Sequence, residues 1–173
     1  FTAPDGHVLR RQYSKSASGR FEAFIGEFSD PTKPLAHLLV HDRQTDEWSI
    51  LEAEHQLELG QIHDYAWFPR EDKLIFAERF FAGSQASEMG SNHLRGDTLD
   101  LSIGTFDARS GTVVDSIGLS ARNYYDVYAV GGEAFIAYKP ADSLDTARVS
   151  RLSFAVDGSA SLTTQLEFQI GDA

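Results

Sequence analysis

The chain has 173 residues, 42% hydrophobic and 12% aromatic, enough apolar side chain to offset the entropy of ordering the backbone and to predict one folded domain rather than disorder. Fifteen basic against 26 acidic residues give a net charge of -11, which repels phosphate backbones and anionic lipid surfaces and speaks against nucleic acid as a partner. Cysteine is absent, which excludes disulfides, thiolate metal sites and a cysteine nucleophile, and no apolar run approaches the roughly 20 residues of a membrane-spanning helix, so no membrane insertion is expected.

The opening "FTAPDGHVLRR" has neither an initiator Met nor the basic and apolar regions of a signal peptide, which predicts a processed, trimmed or excised N-terminus. From there on the dominant local signal is period-two alternation, the mark of strands. "FEAFIGEF" from Phe21 reads as an apolar strand; "AHLLVHD" then puts Ala36, Leu38 and Val40 on one face, "RQTDE" turns and "WSIL" returns. The following "LEAEHQLEL" is rich in helix formers, with Ile50, Ala53 and Leu57 on one helical face, but at this length a frayed outer strand is the preferred reading.

"HDYAWFPREDKLIFAER", His63 to Arg79, is an Asp, an aromatic-rich strand, a turn and an apolar strand. It runs into Phe80 and Phe81; consecutive strand residues face opposite ways, so one of the two leaves the core as a candidate interface anchor. "AGSQASEMGSNHLRG", Ala82 to Gly96, is polar and rich in Gly and Ser, and is expected to be a loop that is mobile or ordered by a partner. In "TLDLSIGTFD", Leu99, Leu101 and Ile103 share one face and Asp100, Ser102 and Gly104 the other, which predicts a half-buried strand. After "ARSG", the stretch "TVVDSIGLS" aligns Val113, Ile117 and Leu119, interrupted by Asp115, and completes a hairpin. "YDVYAVGGEAFIAY" repeats the order Asp, aromatic-rich strand, turn, apolar strand. "RLSFAV", with Leu152, Phe154 and Val156 aligned, then turns at Asp157-Gly158 into "SLTTQLEFQI", with Leu162, Leu166, Phe168 and Ile170 aligned. The chain thus divides into three units, about 7–59, 63–120 and 124–170. Four strands in roughly 50 residues is the signature of a propeller blade, so the expected fold is all-β and β-propeller-like, with about three four-stranded antiparallel blades in a single domain.

"YAWFPREDKLIFAE" is similar to the strand, "W-S-P-D-G-K", strand segment of TolB-like and related WD40-like bacterial propellers, with Trp67, Pro69, Asp72 and Lys73 in the corresponding places, and "FDARSGTVVDSI", Phe106 to Ile117, is similar to their third-to-fourth-strand turn. The match is specific in the middle unit. Phe68 replaces the small residue before Pro, Glu71 intrudes before Asp72, the third unit has Gly131-Gly132 in place of the Pro turn, and the first lacks the Trp. The resemblance implies an architecture and a bacterial periplasmic or exported location; it carries no activity. Propeller rings take four to eight blades, so three predict a partial propeller completed by a second copy, another chain or a missing segment, through an extensive apolar interface.

No G-x-S-x-G, H-E-x-x-H, G-x-x-x-x-G-K-[ST] or G-x-G-x-x-G motif is present, so no catalytic residue and no cofactor is expected. His37 and His41, four residues apart on a strand, stand roughly 13 Å from each other and cannot share one ion, so no metal is expected there. Asp97, Asp100, Asp142 and Asp145 lack the spacing of a calcium loop and read as solvated turns, and "RGD" at Arg95 to Asp97 reads as a chance match. His63-Asp64 and Tyr125-Asp126 occupy equivalent places just before the inner strands, near one mouth of a propeller channel. With Phe80 and Phe81 they are the candidate ligand or partner contacts, the alternative being that each Asp satisfies backbone amides at the strand entrance. Trp48, Trp67, Tyr124, Tyr125 and Tyr128 are either a sugar-stacking surface or packing between blades, with packing preferred. The expected function is a non-catalytic propeller segment that binds or scaffolds protein; the alternatives are the propeller portion of a larger enzyme, such as a prolyl-oligopeptidase-type peptidase, or a carbohydrate-binding propeller.

Overall fold

The computed structural model describes residues 3–9, 13–28, 36–52, 54, 60–80, 98–155 and 160–170. Within them the chain is all-β, with a single short 3-10 turn at Pro4–Gly6. Twelve strands follow one another: β1 His7–Leu9, β2 Ser14–Lys15, β3 Phe21–Phe28, β4 Ala36–Asp42, β5 Glu47–Leu51, β6 Gln61–Trp67, β7 Lys73–Phe80, β8 Leu99–Asp107, β9 Thr112–Val130, β10 Glu133–Pro140, β11 Thr146–Phe154 and β12 Ala160–Gln169. The expected second strand of each unit is β3, β7 or β10, and the expected turns at 43–46, 108–111 and 131–132 join antiparallel neighbours. Positive φ at Gly111, Gly131 and Gly132 explains why glycine stands at the last two of these bends.

Backbone hydrogen bonds gather the strands into two sheets rather than three. The first has the order β1-β3-β4-β5, with β2 also on β3; the second is a seven-stranded meander, β12-β11-β10-β9-β8-β7-β6. The expected break between the second and third units is not there: β9 runs unbroken from Thr112 to Val130. Its first half pairs with β8 and its second half with β10, and Ala121, at the changeover, pairs with both Leu99 and Pro140. One strand thus passes from one layer to the next without a loop. The expected first strand of the opening unit is instead two short pieces, β1 and β2, which hold opposite ends of β3.

Side chains organise this backbone into three layers around two cores. Phe21, Ala23 and Ile25 of β3 with Ala36, Leu38 and Val40 of β4 pack on Ile62, Tyr65, Leu74, Phe76 and Phe106. On the other side of the middle layer, Ile75, Ala77, Leu99, Leu101 and Ile103 pack on Ala121, Tyr124, Val127, Ala134, Ile136 and Leu152. Leu74 and Phe76 therefore face one core and Ile75 and Ala77 the other, as successive residues of a strand must. This corrects the half-buried reading of β8: Ser102 is buried as well as Leu101 and Ile103, because the first sheet covers the face that the alternation assigned to solvent. Gly104, on the same face, leaves room for its β7 neighbour, since a Cβ there would lie 2.6 Å from the Phe76 ring and 2.9 Å from the Asp115 carbonyl.

The "LEAEHQLEL" segment beyond Glu54, the Ala82–Gly96 loop, the Arg95-Asp97 tripeptide and the Asp157-Gly158 turn lie outside the described residues.

Candidate functional site

His63 and Tyr125 fall at the same structural irregularity. In the pairing of β6 with β7, Ile62 and Asp64 oppose Glu78 and Ala77, leaving His63 as an extra residue; in the pairing of β9 with β10, Tyr124 and Asp126 oppose Tyr138 and Ala137, leaving Tyr125 extra. Each Asp thus follows a β-bulge inside a strand, which corrects the expectation that these dipeptides lie just before the strands: pairing begins at Gln61 in β6 and β9 has no entrance here at all. The bulges turn His63 and Tyr125 outward, and both are exposed.

The two carboxyls converge. Tyr124 donates its hydroxyl to Asp64 Oδ2 at 3.1 Å, and the His63 ring meets the edge of the Tyr124 ring with centroids 5.7 Å apart. Asp64 Oδ1 accepts the backbone N–H of Tyr65 at 2.8 Å, so this Asp also serves its own strand as the alternative reading supposed. Burial pushes the Asp126 carboxyl up to about 6, and the hydrogen bond to Asp64 and the charge of Asp64 push the same way; the hydroxyl of Tyr128 pulls against them. Two carboxyls this close ionise together only at a cost, so Asp126 holds a proton up to about pH 6. Burial and the Asp64 charge hold the Tyr124 hydroxyl firmly protonated. The arrangement can bind and release a proton at mildly acidic pH, at the seam where β9 lies against β6.

The structure brings together His63, Asp64 and Asp126 of the candidate residues and adds Tyr124 and Tyr128. Tyr125 points away from them. Phe80 is half-buried at the end of β7 opposite Asp100, and Phe81 lies outside the described residues. The repeat alignment held the signal for Tyr124: it stands two residues before Asp126, and the bulge re-aims it across the seam. The remaining aromatics separate. Trp48 stacks on His41 with centroids 4.6 Å apart on the outer face of the first sheet, and Trp67 packs against the first core while donating to Ser14 O at 3.3 Å. His37 and His41 are buried in β4 with different partners, His7 for one and Asp46 for the other, and among the described residues no group of His, Asp or Glu side chains could hold a metal ion.

Among the described residues, clefts flank the middle layer. One, of about 640 Å³, is lined by Ser18, Pro69, Arg70, Asp72 and Arg109. At its base the buried Asp72 accepts from the Ser18 amide and from Arg109 Nε at 3.0 Å and Nη2 at 2.8 Å, tying three turns together. Another, of about 550 Å³, lies between Leu51, Glu52, Phe76, Glu78 and Val113.

A second feature is the uncovered face of the third layer. Aligning Asp64 with Asp126 makes Ile75 and Ala77 of β7 equivalent to Phe135 and Ala137 of β10. Following the register outward, Ile103 and Ile117 are equivalent to Val149 and Leu166, and Leu101 and Leu119 to Ala147 and Phe168. In the middle layer these positions face the third layer: Ile75, Ala77, Leu101 and Ile103 are buried there, with Ile117 and Leu119 packed against them. In the third layer the same positions face outward, and Leu166 is 63% and Phe168 52% exposed, with Tyr128 and Val130 open beside them.

No family model matches this chain and no curated protein matches it. Among solved structures it is similar to a protein of Clostridium novyi NT described as a conserved lipoprotein, in a crystal structure at 2.70 Å resolution, with 13% sequence identity, a TM-score of 0.41, and coverage of 95% of this chain and 89% of that one.

Proposed function

We propose that this chain is a non-catalytic, propeller-type segment that works as a protein-binding or scaffolding module, its layers being blades and its outward face a docking surface. One observation carries the reading: the apolar positions that the middle layer buries under the third have apolar counterparts on the third layer, and two of these, Leu166 and Phe168, are exposed. A contiguous apolar sheet face is costly to leave in water and marks an interaction site. The wide range of activities hosted by propellers means that the fold alone assigns no chemistry. An exported location, carried by the resemblance to TolB-like repeats, belongs to the same proposal.

The immobilised chain is expected to retain a protein from a lysate of its source, to lose that partner on Leu166→Glu, and to turn over no peptide, ester or glycoside substrate. Turnover that co-purifies with the chain and disappears on Asp126→Asn would replace this reading with a catalytic one built on the carboxyl pair.

A further inference from the structure

We propose that Asp64 and Asp126 form an acid-closed latch across the seam between β6 and β9, shut by a proton in mildly acidic solution and loosened as the solution turns neutral. What the outward face of the third layer binds has no bearing on it.

The seam is held by side chains. β6 is the last strand of its sheet and has β7 as its ladder partner, so it meets the second half of β9 through the Tyr124 hydroxyl on Asp64 Oδ2 at 3.1 Å and the His63 ring edge-on to Tyr124. β9 changes partner at Ala121, from β8 to β10, which makes that residue a pivot between the middle and third layers. Asp126 stands five positions further on, about 17 Å at about 3.3 Å per residue, so a rotation of about 10° at Ala121 moves it by about 3 Å, enough to break a hydrogen bond. Both carboxyls are aimed at this spot by the same device: each follows a residue left extra in its ladder, His63 in one strand and Tyr125 in the other, and a bulge redirects the side chain beside it.

A proton on Asp126 lets its carboxyl donate to Asp64; without that proton two half-buried acceptors face each other and repel. Around the pair, Tyr124 gives its hydroxyl hydrogen to Asp64 and Tyr128 gives its own to Asp126. His63 lies against Tyr124, and Arg79 of β7 acts on His63. Tyr65, next along β6, donates away from the pair to the Ala23 carbonyl. β10 sets Ala137 opposite Asp126, and its Tyr138 hydroxyl is turned to Ser150. Asp126 is held up to about 6 with the seam closed and returns toward the ordinary carboxylate value when it opens, so closure takes up a proton. Closure is therefore fully supported below the ordinary range and loses that support as pH rises through 6.

Tyr124 reads the latch, because it is buried at 8% exposure in the seam, while Tyr65 at 8% and Tyr138 at 5% are buried elsewhere and serve as internal controls. Hydroxyl-radical footprinting of the chain at about pH 5 and about pH 7.5, resolved residue by residue by tandem mass spectrometry, should show Tyr124 oxidation rising at least about threefold at the higher pH, with Tyr65 and Tyr138 unchanged. Asp126→Asn and Asp64→Asn each put an uncharged hydrogen-bond donor at the seam, and each is expected to hold Tyr124 at its low level at both pH values. Equal oxidation of wild-type Tyr124 at the two pH values overturns the latch, as does a rise that persists in both variants. A rise shared in equal measure by Tyr65 and Tyr138 overturns it too, since the whole molecule and not the seam would then be loosening.

Discussion

At the scale of single residues, the acidic side chains fall into two groups with opposite pH behaviour. Asp126 is raised to about 6, chiefly by burial. A carboxyl whose pKa is higher folded than unfolded binds more protons in the folded state, so its contribution to stability is fully present below the ordinary carboxylate range and is lost as pH rises through 6. Glu22 and Asp72 are lowered despite their burial, because the hydrogen bonds of Tyr13 and Lys15 in one case and of Ser18, Ser16 and Arg109 in the other favour the charged form. Their contributions are present above the ordinary range and lost as pH falls. Comparing urea midpoints of wild type and Asp126→Asn from pH 4.5 to 7.5 isolates the first effect: the wild type should lose stability relative to the variant across pH 6, and parallel profiles would refute the upward shift of Asp126. Asp72→Ala removes a buried carboxylate that binds the Ser18 amide and the Arg109 guanidinium, and should cost about 3 kcal/mol in equilibrium denaturation. Tyr124→Phe deletes one hydrogen bond to Asp64 and should cost about 1 kcal/mol in equilibrium denaturation.

At the scale of elements, the alternation in the sequence was sufficient to place β3, β4, β7, β8 and β10 and the turns between them, because period two is a local property. It did not separate a strand with one wet face from a strand between two layers: Ser102 and Gly104 are small enough to be buried under a neighbouring sheet, and smallness and polarity look alike in a single sequence. Gly104→Ala tests the packing of this face within its own sheet, since its methyl group would meet the Phe76 ring of β7 and the Asp115 carbonyl of β9; a loss of about 1 to 3 kcal/mol is expected, and a neutral substitution would mean that the Phe76 ring does not lie over Gly104. The bulges at His63 and Tyr125 were likewise out of reach. The sequence showed two matching dipeptides, but a one-residue insertion in a ladder depends on the partner strand, so the convergence of Asp64 with Asp126 and the role of Tyr124 emerge only once β9 is laid against β6. The continuity of β9 through Ala121 was missed for a similar reason. "SARNYYD" contains nothing that stops a strand and nothing that announces a change of partner.

At the scale of the whole molecule, three layers share two cores, and the connections between the layers are unequal. The middle and third layers hold the same backbone, since β9 is hydrogen-bonded to β8 along one half and to β10 along the other. The first sheet is joined to the middle layer across packed side chains, and among the described residues the polar ties between them are made by side chains: Tyr65 to the Ala23 carbonyl at 2.6 Å, Trp67 to Ser14, and Asp72 to the Ser18 amide. Replacing Phe76 by Ala takes a large ring out of the core between these two and should cost about 3 to 5 kcal/mol, measurable as a shift of the urea midpoint.

An unbroken strand common to two layers makes their opening a single event. Amide protons of β6 through β11 should therefore exchange with deuterium as one cooperative block, while those of β3 and β4 escape earlier, through a partial opening in which the first sheet peels off. Slower exchange in β3 and β4 than in β7 and β10 would show that the seam of side chains is the stronger of the two couplings.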